Sequence, residues 1–151
     1  MPIVSRCDPE LRIVVDVYHG DVTVHEMHHH VSALLSDSTW LRTTRSLSDM
    51  SAARLTPFSD DERAAMLSLF QTRSLRLTGR QIAIIGGATS VSTARDVERR
   101  AIDNLGARAI LFNDLTTACL WLGVDEMKIN TTIGQLRESI LANGAEGPQR
   151  C

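Results

Sequence analysis

Four times along this chain a short apolar, β-branched run gives way to a turn and then to a segment of helical periodicity. That alternation constrains the fold more than any other feature. The first run, Arg12-Ile-Val-Val-Asp-Val-Tyr18, reads as a strand closed by the turn His19-Gly20-Asp21. Thr23 with Glu26 three residues later has the spacing of a capping box and starts a helix to about Ser36. Val24, Met27, Val31 and Leu35 fall on one face of it and face a sheet.

A loop around Trp40 leads to a second strand near Thr44–Met50. Ser59 and Glu62 form another capping box, opening a helix to about Leu75 with Met66, Leu67 and Phe70 on its apolar stripe. Gln81–Ile85 is a short apolar run stopped by Gly86-Gly87, which suits a buried strand, and a helix over about Ser92–Leu105 follows. Arg108–Phe112 is the last strand; Asp114 caps a helix through Leu122, ended by Gly123. The pattern predicts an α/β fold: four to five strands in a mostly parallel or mixed sheet flanked by helices. Residues 1–10 read as an N-terminal tail, 11–123 as the α/β domain and 124–151 as a linker plus an extra helix opened by Thr132 and Gln135. That last helix is amphipathic and packs either on its own domain or against a second subunit.

The 151 residues are enough for one domain with a sizeable core. Net charge is −2 and the pI about 6.2, so no field favours nucleic acid or an anionic membrane. No apolar run approaches the roughly 20 residues of a membrane span. Met1–Glu10, broken by two prolines and without an apolar stretch, does not read as a signal peptide. Cys7, Cys119 and Cys151 are an odd, scattered set and make neither a disulfide framework nor a metal pair, which points to a reducing cytoplasm.

Few groups carry chemistry. His25 and His29, four apart, share a helix face at the spacing of a two-imidazole metal grip; His28 leans toward the apolar stripe and His30 points the other way. A third ligand is lacking, and the run is not the His-Glu-x-x-His motif, so no metal is expected. Gly86-Gly87-Ala88-Thr89-Ser90 lies between a strand and a helix, where backbone amides of Gly86 and Gly87 with Thr89 and Ser90 are placed to hold an anion or small ligand. No Lys follows as in a phosphate-binding loop. No cofactor is implied, and no nucleophile–base arrangement has local support.

The order of these pieces resembles the STAS-like domains (the anti-sigma-factor-antagonist, or SpoIIAA-like, fold), in particular a bacterial branch of uncharacterised members. The resemblance rests on Gly20-Asp21-Val22-Thr23 after the first strand, Trp40 before Leu47-Ser48-Asp49-Met50, the Arg80–Ile85 strand with its Ala-Thr-Ser loop, and Leu111-Phe112-Asn113-Asp114 before Ala118–Leu122. It implies a non-enzymatic module that binds a protein partner through the surface around the second helix, and possible self-association as a homodimer. A related branch resembles lipid-carrying domains, which implies the alternative of a carrier for a small apolar or lipid-like ligand. A metal-dependent enzyme using the His-rich helix is the third reading. Switch members of the family are phosphorylated in an Asp-Ser-x-Gly segment. Here Ser59 stands within a residue of that position, but the preceding Asp and following Gly are missing. As a helix N-cap Ser59 is already explained.

Overall fold

A computed structural model describes residues 2–72, 77–87 and 106–142. Five strands form one sheet in sequence order: β1 (Ile3–Asp8), β2 (Ile13–Val22), β3 (Arg45–Leu55), β4 (Gln81–Gly86) and β5 (Arg108–Phe112). β1 runs antiparallel to β2, and every later neighbour pairs in parallel. Among the described residues the α-helices are α1 (Val24–Ser36), α2 (Asp60–Thr72), α3 (Leu115–Leu122) and α4 (Glu126–Ala142). The expected α/β architecture with a mixed sheet is therefore what the chain adopts.

Alternation along the strands assigns the two faces. Ile13, Val15 and Val17 of β2, with Leu47 and Ala83, meet Ile129, Ile133 and Leu136 of α4 and Ala118 and Leu122 of α3. Tyr18, Met50 and Ile84 point the opposite way and meet Met27 of α1 and Met66 of α2. A third cluster on that side gathers Val14, Leu35, Trp40, Leu77 and Ala109.

The capping boxes form as their spacing requires. The Thr23 hydroxyl accepts from the Glu26 amide and the Glu26 carboxylate accepts from the Thr23 amide; Ser59 and Glu62 do the same ahead of α2. Asp114 accepts from the Thr117 amide, and Gly123 closes α3 with φ +69°, a left-handed conformation that favours glycine.

Several expectations are corrected. Residues 3–8 are not a tail but edge strand β1, with Ile3 and Val4 buried. Pro2 and Pro9 stand just outside the strand, where a missing amide costs nothing, and Asp8 accepts from the Glu10 and Leu11 amides to turn the chain into β2. β2 continues past the anticipated turn to Val22, its pairing with β3 shifting register between Val17 and His19. β3 likewise extends to Leu55. Most of the supposed linker 124–130 belongs to α4: Asp125 accepts from the Lys128 amide, so the helix begins at Glu126 rather than near Thr132. Between its two anticipated placements, α4 packs on its own sheet, against β1 and β2. Cys7 is disulfide-bonded and Cys119 is a buried free thiol, so the cysteines no longer argue for a reducing compartment. The anticipated helix over 92–105 lies outside the described residues, as does the expected end of α2 beyond Thr72.

Candidate functional site

Among the described residues, those singled out by sequence do not converge. His25 and His29 are exposed on α1 and His28 is half-buried; among the described residues no group of three His, Cys, Asp or Glu side chains is placed to hold a metal. Ser59 is exposed, its hydroxyl engaged as the α2 cap. Gly86 ends β4 and Gly87 follows it, packed so closely that a Cβ there would stand 3.1 Å from the Ser51 carbonyl oxygen. Thr89 and Ser90 lie outside the described residues.

His30 was expected to point away from the apolar stripe, and instead it faces the sheet at 1% exposure. Its position three residues after Met27 places it over β2. Its Nε2 lies 3.1 Å from Asp16 Oδ1, and Ser48 of β3 donates to Asp16 Oδ2 at 3.3 Å. Asp16 and Ser48 are register partners, so sheet pairing itself brings them together. Tyr18, two residues along the same face, meets the His30 ring edge-on at 6.1 Å. Burial, and secondarily the Asp16 carboxylate, push the Tyr18 hydroxyl well above the usual phenol range.

A second buried polar group stands on the same side of the sheet. Arg80 precedes β4 and is 3% exposed. Its Nε donates to the Ser46 hydroxyl at 2.7 Å, Nη1 to the Thr43 carbonyl at 2.9 Å, and Nη2 to the Thr43 hydroxyl and the Arg45 carbonyl. The guanidinium carbon lies 3.9 Å from the centre of the Trp40 ring, a cation–π contact. Burial lowers its pKa to about 10, opposed by attraction to Asp16.

Between this sheet face and helices α1 and α2 lies a cavity of about 110 Å³. Met27 and Val31 of α1 and Met66 and Phe70 of α2 supply apolar wall; Asp16, Ser46, Ser48 and Arg80 stand in the wall on the sheet side. The Ser48 hydroxyl donates to the Asp16 carboxylate rather than to the His30 imidazole, so these three are not disposed as nucleophile, base and orienting acid. On the opposite face Asp49 is bound by Arg137 and Ser51, tying α4 to β3.

No family model and no curated protein matches this chain. Among solved structures it is similar to an uncharacterised protein from Shewanella loihica PV-4, of the DUF3478 family with a SpoIIAA-like fold. The two are 18% identical with a TM-score of 0.45, over 73% of this chain and 83% of that one. That neighbour carries the fold name which the sequence resemblance implies; the similarity assigns neither site nor function. Among the described residues no helix is long and apolar enough to cross a membrane.

Proposed function

We propose that this chain is a non-enzymatic binding module that holds a small, largely apolar ligand between the sheet and helices α1 and α2. The observation that carries the reading is the cavity itself: an apolar roof of two helices over a sheet face bearing four buried polar side chains. Its volume sets the class of ligand. An apolar cavity of roughly 150 Å³ accepts benzene, whereas drug-sized ligands occupy roughly 300–1,000 Å³. At about 110 Å³ the space fits a compact molecule of benzene size or less and not a lipid chain.

This favours the small-ligand form of the carrier reading over a partner surface on α2. Among the described residues the exposed large apolar side chains are Leu41, Leu120, Met127 and Leu141, and none belongs to α2. Ligand occupancy would still reach the outside, because Met66 and Phe70 of α2 are cavity wall. A regulatory module of this design reads ligand and presents the result through α2.

The test uses the methionines. Met27, Met50 and Met66 line the cavity, while Met127 is 81% exposed and serves as a control. With methyl-labelled methionine, benzene is expected to shift the three lining methyl resonances saturably and to leave Met127 unmoved. Unchanged lining resonances, or a shift of Met127 alone, would overturn the reading.

A further inference from the structure

Asp16, Ser46, Ser48 and Arg80 in the cavity wall all have protein partners: Asp16 holds His30 and Ser48, and Arg80 donates to Ser46, Thr43 and Arg45. Tyr18 and Trp40 belong to the same wall, each 4% exposed. Tyr18 meets the His30 ring and Trp40 the Arg80 guanidinium, but among the described residues neither the Tyr18 hydroxyl nor the Trp40 indole N–H makes a hydrogen bond. Neither polar atom is sealed within protein, and the space both side chains border is the cavity. A buried tyrosine or tryptophan ordinarily finds a partner for its polar end.

Resting on the small-ligand reading above, we infer that the ligand is a small neutral carbonyl compound whose oxygen accepts from the Tyr18 hydroxyl, its hydrocarbon part lying among Met27, Met66 and Phe70. An indole N–H only donates, whereas a phenol hydroxyl donates or accepts. What suits both groups is therefore an acceptor, and a carbonyl oxygen is one that brings no O–H needing a partner of its own. The Asp16 carboxylate in the wall opposes an anionic acceptor. Burial keeps the Tyr18 hydroxyl protonated, and so a donor, at neutral pH.

The test uses the fact that Tyr18 is the chain's single tyrosine, so tyrosine labelled at Cζ reports one hydroxyl. The probes are acetone, 2-methylpropene, in which a methylene replaces the oxygen, and propan-2-ol, all smaller than benzene. Acetone is expected to shift the Tyr18 Cζ resonance saturably together with the Met27, Met50 and Met66 methyls, with Met127 as control. The alkene should shift those methyls and leave Cζ in place. Tyr18→Phe, which removes one oxygen, should weaken acetone binding about fivefold and alkene binding by less than about twofold. The Cζ comparison on unaltered protein decides the matter even where Tyr18→Phe does not fold. A Cζ resonance unmoved by acetone, or moved as far by the alkene, overturns the inference. So does an equal loss of both probes in Tyr18→Phe, or tighter binding of propan-2-ol than of acetone. In each case benzene shifts at the lining methyls leave the small-ligand reading intact. If no probe shifts those methyls, benzene included, that reading fails and the inference with it.

Discussion

His30 of α1 and Asp16 of β2 stand 3.1 Å apart, with side chains 1% and 6% exposed. The contact ties the middle of α1 to the strand beneath it. Removing one partner leaves the other buried. His30→Ala strands the Asp16 carboxylate with Ser48 as its remaining polar contact, and the expected loss is about 3 kcal/mol. Replacing both with leucine removes the unpaired charge, so the double variant should be more stable than the two single losses, added together, imply. Urea unfolding of the single and double variants measures the difference. Strict additivity would mean that the two residues are not coupled.

The Arg80 cluster makes a separate prediction about stability. Arg80→Met keeps the apolar volume but leaves the Thr43 and Arg45 carbonyls without their donor, at an expected cost of about 2 kcal/mol. Trp40→Phe keeps a ring under the cation and should cost only about 1 kcal/mol. Thermal melts of the two variants, with the ligand-free protein as reference, check the order. If Trp40→Phe costs more than Arg80→Met, the hydrogen bonds are not what holds this corner.

What could be read from sequence, and what could not, follows from the range of the interactions involved. The caps at Thr23, Ser59 and Asp114 join residues three apart, so spacing alone reveals them. Strand β1 was missed because pairing with β2 makes it a strand, and its flanking prolines suggested a tail. Asp125 was read as linker because no glutamate or glutamine stands three residues on to complete a capping box. The site was missed for the same reason of range. Asp16 and His30 are 14 residues apart, and Asp16 and Ser48 are 32 apart. One signal was available: Asp16 alternates with Val14 and Tyr18 on the core-facing side of a β-branched run, where a carboxylate needs buried partners. The histidine repeat directs attention to His25 and His29, whereas the one histidine of that run buried against the sheet is His30.

The start of α4 separates the structural account from the sequence expectation. If the helix begins at Glu126, Asp125 is its cap, and Asp125→Ala should cost about 1 kcal/mol. Thr132→Ala should then be close to neutral, within about 0.5 kcal/mol, because Thr132 lies mid-helix with its hydroxyl returned to the Lys128 carbonyl. Leu136 is fully buried against the sheet, so Leu136→Ala should cost roughly 2–5 kcal/mol. Denaturant unfolding of the three variants tests the assignment, and a large loss in Thr132→Ala with none in Asp125→Ala would restore the shorter helix.

Alkaline stability has a window in which one group acts alone. Burial, aided by Glu126 and Asp125, raises the Cys119 thiol from its ordinary 9.0 to about 11. Its folded form therefore holds a proton that the unfolded form releases. The sign follows: its contribution to stability is intact below pH 9.0 and is lost as pH rises from 9.0 to about 11. Tyr18 acts in the same direction but begins only above its ordinary 10.0. Arg80 acts in the opposite direction, since burial lowers its pKa to about 10 in the folded protein and the unfolded chain holds that proton more tightly. Between pH 9 and 10 the decline thus belongs to Cys119 among these three groups. Stability measured by urea across that interval should fall in the unaltered protein and flatten in Cys119→Ala, even though that variant is less stable throughout. An unchanged slope in Cys119→Ala would mean that the thiol does not carry the alkaline decline. In that case Tyr18→Phe, read above pH 10, becomes the decisive variant.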